Sequence, residues 1–301
     1  MEHIVRVDDD YELWVEERGE PGTPPVLLIM GANASGLTWP DALVDRLAED
    51  HRVIRYDHRD TGRSTRGYTD APYAICDLAL DAVKVLDGLH VDRAHVVGMS
   101  MGGTLAQLLL LDYPDRLLSA TVFATTTLAF PESTAAPEGT DALPGPDPRL
   151  LAVWETMGEA RDDEAEMSWR IEHWRLLAGD VLPFDETEFR DLEQLIAAHA
   201  GTFATGFAHA LADQSRLDRG DELAAVSVPT LVLEGPADPV AGPPHAAHLA
   251  AAIGSARLVT IPGMGHALSR AVVPHLAAAI SEHLATAERS GDDRAEGKRP
   301  G

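Results

Sequence analysis

"HVVGMSMGGTLAQLLLLDY", residues 95–113, decides how the rest of the chain is read. Residues suited to a strand, His95 to Gly98, run into Met99-Ser100-Met101-Gly102-Gly103, and a helical pattern follows at once. Gly98-Met99-Ser100-Met101-Gly102 satisfies G-x-S-x-G. Such a turn forces its serine into strained backbone, so the residues two away on either side must be tiny for the chain to pass itself. The helix behind it adds an electrostatic element, because N-terminal amides and the helix dipole favour negative charge beside Ser100. Five residues are a weak signal in a chain with 25 glycines. Context has to carry the reading.

Working outward, strand and helix patterns alternate on both sides. "HIVRV" and "YELWVEERG" alternate apolar and polar residues around "DDD" and predict an antiparallel hairpin. "PPVLLIMG" is a continuous apolar run, the kind buried on both faces of a parallel sheet. "DALVDRLAED" is spaced as a helix, "HRVIRYD" as a strand, "DLALDAVKVLDGL" as a helix and "LLSATVFAT" as a strand. "PESTAAPEGTDALPGPDP", residues 131–148, is rich in Pro, Gly and small polar residues and reads as an excursion. From Leu150 to Leu223 the patterns are helical with no strand-like run. The rhythm resumes with "VPTLVLEG", "PHAAHLAAAI", "ARLVTIPG" and "AVVPHLAAAISEHLA".

This pattern predicts one α/β domain: a mostly parallel sheet with an N-terminal antiparallel hairpin and an inserted helical cap. The expected divisions are a first core part at 1–127, a cap insertion with its Pro/Gly-rich lead-in at 128–224, and a second core part at 225–286. The tail 287–301, nearly free of apolar residues, is expected to be disordered.

Composition narrows the function. The chain has 301 residues and 49 acidic against 24 basic side chains, a formal charge of −25. A field of that sign repels phosphate backbones and anionic membranes, and no local basic patch offsets it, so neither is expected as a partner. No apolar run approaches the roughly 20 residues that span a bilayer. "MEHIVRVDDD" has no basic region followed by an apolar stretch, so no signal peptide and a cytoplasmic location are expected. One cysteine, Cys76, excludes an internal disulfide and a cysteine-built zinc site, and its apolar register marks it as a small core residue. The absence of coiled-coil heptads makes a monomer the default.

A serine hydroxyl needs a histidine to take its proton and a carboxylate to orient that histidine. In open α/β sheets the chemistry gathers at the carboxyl ends of strands. With a serine elbow, the chain order should be Ser, acid, His. Asp238 lies in the loop after "PTLVLEG", with Glu234, inside the strand itself, as its rival. His266 lies in the loop after "ARLVTIPG". The chain has 13 histidines. His245 and His248 form an H-x-x-H on a helix, but no acidic or cysteine ligand accompanies them at metal-site spacing, so they are expected to face solvent. His199 and His209, in the insertion, are candidates to line a pocket.

An oxyanion needs two donors aimed at it. The backbone N–H of Met101 is one, and that of Ala32, in the loop after "VLLIMG", is the other. Gly31 permits a tight backbone there and Asn33 is a possible side-chain contributor. Trp39 is expected in the pocket because it follows that loop. Trp154 and Trp174 of the insertion, with Trp169 and Phe203, could face a flat ligand or could pack cap helices on the core.

With these parts in place the chain resembles the α/β-hydrolase superfamily. The resemblance rests on Met30-Gly31-Ala32, "YDHRDTGRST", "GMSMGG", "PTLVLEGPADPV" and "IPGMGHAL". "MGANASGLTWP" with "RYDHRDTGRST", and the cap stretch "WRLLAGDVLPFDETEF", are more narrowly similar to the anthracycline methylesterases of the aclacinomycin type. Met30 stands where many superfamily members have His, and Asp60 where the loop motif has Gly; both look like features of that subgroup. The resemblance implies a Ser100-His266-Asp238 triad, with the amides of Ala32 and Met101 as the oxyanion hole. It implies a methyl ester of a bulky aromatic polyketide as substrate, and no metal or organic cofactor. A perhydrolase or haloperoxidase and a carbon–carbon bond hydrolase would use the same triad. A silent ligand receptor would have no need of it.

Overall fold

The computed structural model describes residues 1–128, 143–203 and 206–296. Most of the excursion expected at 131–148 lies outside the described residues. The N-terminal hairpin pairs β1 (Glu2–Arg6) with β2 (Glu12–Arg18). Asp8 shapes its turn, its carboxylate accepting the backbone N–H groups of Asp10 and Tyr11.

β3 (Pro25–Ile29), β4 (Arg52–Tyr56), β5 (Ala94–Met99), β6 (Leu117–Phe123), β7 (Thr230–Glu234) and β8 (Ala256–Thr260) complete an eight-stranded sheet. The order is β1-β2-β4-β3-β5-β6-β7-β8, antiparallel where β1 meets β2 and β2 meets β4, and parallel from β4 onward. Every residue of β5 is buried, as expected for a strand at the middle of the sheet, and its one polar side chain, His95, is bonded to the Ser119 hydroxyl at 2.8 Å. β8, at the sheet edge, is largely exposed.

Helices cover both faces. α1 (Asp41–Ala48) and the C-terminal helix described below pack together on one face, over Val26, Leu28, Val97 and Leu231. α2 (Ile75–Gly88) and α3 (Met101–Asp112) pack on the other, over Leu27, Ile29, Val96 and Val122. The alternation of inward residues along β3 thus feeds two separate cores.

Between β6 and β7 the described residues form α4 (Pro148–Glu155), α5 (Asp163–Ala178), α6 (Glu186–Ala200) and the single turn α7 (Ala208–Leu211), with no named strand among them. Their apolar residues, including Leu150, Met167, Ile171 and Phe189, form a third cluster that closes on Ala267 and Val240 of the sheet-end loops. α8 (His245–Ala252) follows β7, and α9 (Val273–Glu296) follows β8.

The tail departs from expectation. Helix α9 continues to Glu296, through residues expected to be disordered from 287. Ala287 is buried, and Glu288 meets the ring of His51, 3.2 Å away, so the helix is held by contacts that composition does not report. Residues 297–301 lie outside the described part.

Candidate active site

Ser100 occupies the corner between β5 and α3 with φ 56° and ψ −123°. That left-handed conformation costs a non-glycine residue about 1–3 kcal/mol, and the surroundings enforce it. The Ser100 N–H donates to the Phe123 carbonyl at 3.0 Å, and its own carbonyl accepts from Gly103 and Thr104. The flanking glycines are steric necessities. A Cβ on Gly98 would lie 2.2 Å from the Gly102 carbonyl oxygen, and one on Gly102 would lie 2.0 Å from that of Ile29. The loop after β3 passes directly beside the serine: a Cβ on Gly31 would stand 3.1 Å from the Ser100 Cβ. The N–H groups of Ala32 and Met101 donate to no protein acceptor among the described residues.

Asp238 and His266 come together from the loops after β7 and β8. His266 Nδ1 lies 3.0 and 3.1 Å from the two carboxylate oxygens of Asp238. A carboxylate can only accept, so Nδ1 carries the proton and the lone pair of the neutral ring is on Nε2. Asp238 Oδ1 also accepts the backbone N–H groups of Val240 and Ala241, at 2.8 and 3.0 Å. Burial pushes the Asp238 carboxyl up, but the His266 charge and hydrogen bond and the two amides outweigh it, leaving the carboxyl below its ordinary range. The rival carboxylate, Glu234, instead takes the Thr260 hydroxyl at 2.9 Å. The insertion holds the histidine loop as well: the N–H groups of His266 and Ala267 donate to Leu177 at the end of α5.

Ser100 and His266 face one cavity of about 360 Å³, within the range for small-molecule sites. The Ser100 hydroxyl makes no protein hydrogen bond among the described residues. Gly31, Ala32 and Asn33 form the core wall, and Trp154, Trp169, His173, Trp174 and Phe203 the opposite one. Asp238 stands behind His266, away from the walls. The two cap tryptophans named for the pocket both pack and line: Trp154 Nε1–H donates to His173 Nε2 at 2.9 Å, and Trp174 Nε1–H to Glu193 at 2.6 Å.

Trp39 is a correction. It is fully buried among core residues, edge-on to Phe123 at 6.1 Å, and does not reach the cavity. Closeness in sequence to the loop after β3 misled, because Trp39, just past the 3-10 turn at Gly36–Thr38, packs into the core with Val26, Leu28 and Phe123. His245 is a second correction: it is buried, bonded to Thr126 and to the Pro144 carbonyl, while its neighbour His248 is exposed. No group of His, Cys, Asp or Glu among the described residues could hold a metal ion.

Neither His199 nor His209 lines the cavity. His199 reaches from α6 to Asp57 at 2.7 Å, its ring edge-on to Trp14. Asp57, fully buried, also accepts the Ser35 hydroxyl and the N–H groups of Gly36 and Arg63. These bonds overcome the burial that would raise it and keep its carboxyl below the ordinary range. His209 bonds the Asn33 N–H at 2.8 Å and the Arg59 carbonyl at 3.0 Å.

His173 is the wall residue that sequence reading missed. Its partner Trp154 offers only a donor, so Nε2 is the acceptor and Nδ1 holds the proton. Burial, with the charges of His266 and Arg170, holds its pKa down to about 4. Its one sequence signal is its place between Trp169 and Trp174 on α5.

Comparison with known proteins shows the family. Residues 24–269 match the family described as the alpha/beta hydrolase fold. The chain is 47% identical over 289 residues to rhodomycin D methylesterase DnrP of Streptomyces peucetius, across 93% of this chain and 97% of the relative. It is likewise 47% identical over 288 residues to rhodomycin D methylesterase DauP of Streptomyces sp. strain C5, again covering 93% and 97%. Among solved structures, a hydrolase from Pseudomonas aeruginosa PA01 superposes with a TM-score of 0.70 at 26% identity, covering 94% of this chain and 98% of that one.

Proposed function

The chain belongs to the α/β-hydrolase family, and from that premise we propose that it is a serine carboxylic-ester hydrolase that removes the methyl group from a methyl ester of an anthracycline-like polyketide. The observation that carries the reading is that Ser100 and His266, the histidine backed by Asp238, face one aromatic-walled cavity. Similarity to two rhodomycin D methylesterases along nearly the whole chain supports the substrate class.

Ser100 Oγ attacks the ester carbonyl while His266 Nε2 takes the hydroxyl proton, a contact that tightens when substrate binds. Asp238 keeps the imidazole in its tautomer and balances the imidazolium. The N–H groups of Ala32 and Met101 receive the oxyanion, and the dipole of α3 favours the same charge. Collapse expels methoxide, which takes the His266 proton and leaves as methanol. Water then attacks the acyl-enzyme, giving its proton to His266, and the acid departs as Ser100 is regenerated. The balance is ester plus water to carboxylic acid plus methanol.

The test is incubation with anthracycline methyl esters, simple aryl esters, lactones and vinylogous diones, with methanol and acid followed by mass spectrometry. Stoichiometric methanol from the polycyclic esters is expected. Ser100→Ala should lower turnover by about 10⁴-fold or more. Unchanged hydrolysis by that variant would sink the mechanism.

A further inference from the structure

We infer that His209, supplied by the insertion, is a positioning residue of the oxyanion loop, holding Asn33 so that the Ala32 amide is presented to the ester oxygen at Ser100. The inference rests on the function proposed above. Its starting point is that residues 30–33 leave β3 without joining a helix or strand, Ala32 and Asn33 forming a turn, so no ladder or helix sets their geometry.

Two imidazoles do so instead. At one end His58 Nε2 donates to the Met30 carbonyl at 3.0 Å. At the other the Asn33 N–H donates to His209 Nδ1 at 2.8 Å, across 176 residues of sequence. An amide N–H only donates and the Arg59 carbonyl only accepts, so His209 has its lone pair on Nδ1 and its proton on Nε2. One neutral tautomer satisfies both partners. The ring is 2% exposed and lies edge-on to His58 at 5.6 Å and to Tyr73 at 6.3 Å, so it has no room to turn away.

Two consequences follow for the chemistry. Asn33 sits at φ 56°, a left-handed conformation that costs an L-residue roughly 1–2 kcal/mol and that the His209 bond retains. Its backbone N–H is also used up, so that group is not an oxyanion donor. Between the pinned Met30 carbonyl and the pinned Asn33 amide stand only Gly31, against Ser100, and Ala32, whose N–H has no protein acceptor among the described residues. Oxyanion donors act by being in place before charge develops, within about 0.5 Å of the productive position. A residue of the insertion therefore sets a part of the chemical machinery, in addition to whatever the insertion does in choosing substrate.

The test separates the two bonds of the ring. In His209→Asn the side-chain oxygen stands near the place of Nδ1 and can accept from Asn33. In His209→Gln the side-chain nitrogen stands near the place of Nε2 and serves only Arg59. His209→Gln should lower kcat about 10- to 100-fold with KM changed less than about threefold, the pattern of a lost transition-state contact. Inhibition by a boronic acid that forms a tetrahedral adduct on Ser100 should weaken by the same factor, while affinity for the carboxylic acid product stays. His209→Asn should restore at least about tenfold of the lost kcat. If His209→Gln fails to fold, the ratio of boronate to product affinity is read on His209→Ala. An unchanged ratio, or Asn no better than Gln, overturns the inference. Labelling of Ser100 by a fluorophosphonate in all folded variants shows that such a failure belongs to the positioning role alone. Absence of labelling, with Ser100→Ala still active, would instead bring down the underlying reading.

Discussion

The two walls of the cavity are built by different physics. On the sheet side, Ser100, Asp238 and His266 stand on loops a few residues beyond strand ends, and backbone geometry places them. On the cap side, Trp154, His173 and Trp174 stand on helices and are placed by side chains meeting other side chains. The same residue type then acquires opposite characters. His266 has a carboxylate on Nδ1, which fixes its tautomer and leaves its lone pair on Nε2. His173 has an indole donor on Nε2 and its lone pair engaged, so it stays neutral and presents an N–H. A histidine's chemistry is decided by the partner of its other nitrogen.

The sharpest way to break this contrast is on the sheet side. Asp238→Asn should keep the fold but lower kcat by about 10⁴-fold, because an amide no longer imposes the Nδ1–H tautomer. Glu234→Gln, at a side chain bonded to the Thr260 hydroxyl, should leave kcat within about twofold. Steady-state kinetics on the same ester decides, and equal losses would mean that the wrong carboxylate has been assigned.

Next in size is the elbow. Gly102→Ala should destabilise by about 2–4 kcal/mol in denaturant unfolding, since its Cβ would stand 2.0 Å from a backbone oxygen that cannot move without the sheet. Wild-type stability would show that the crossing is looser than described.

The buried neutral histidines make a pH prediction. Burial holds His58 and His95 down to about 3 and His283 down to about 4. In the unfolded chain these rings protonate near the ordinary value of about 6.5. Between the folded and unfolded values the unfolded state therefore binds more protons, and stability falls as pH falls. Each ring contributes a slope of at most about 1.4 kcal/mol per pH unit. Asp238, whose carboxyl is lowered in the fold, adds stability that is present above its unfolded value and lost as pH falls through its folded one. Thermal unfolding should move to lower temperature as pH drops from 6.5 towards 4. A flat profile in that window would contradict the neutral assignments.

The smallest effect is expected at the cap wall. His173→Phe removes one N–H from the cavity and leaves the Trp154 indole N–H without its acceptor. A net hydrogen bond of about 0.5–1.5 kcal/mol corresponds to a rise in KM of about 2- to 10-fold, with kcat nearly unchanged. A large loss of kcat instead would place His173 in the chemistry and erase the distinction between the walls.

The eight strands and the loops bearing Ser100, Asp238 and His266 were legible because each is a local matter. An apolar run long enough to be buried on both faces must be an inner strand, and a serine between two glycines at its end has one steric solution. Histidines in the insertion were not legible in the same way. His209 and His199 carry no local mark of the loops they hold, 176 and 142 residues away. Trp39 shows the converse error, a residue near the chemistry in sequence that one 3-10 turn delivers to the core.

By itself, then, the sequence determined the succession of strands and helices along the chain, the strained serine corner, and the acid and histidine that follow it in chain order, because periodicity and glycine sterics act over a few residues. Only the tertiary structure decided which rings wall the cavity, and that a histidine of the insertion bonds the loop after β3. Those outcomes depend on which lone pair faces which donor across the fold, and neither spacing nor composition encodes that.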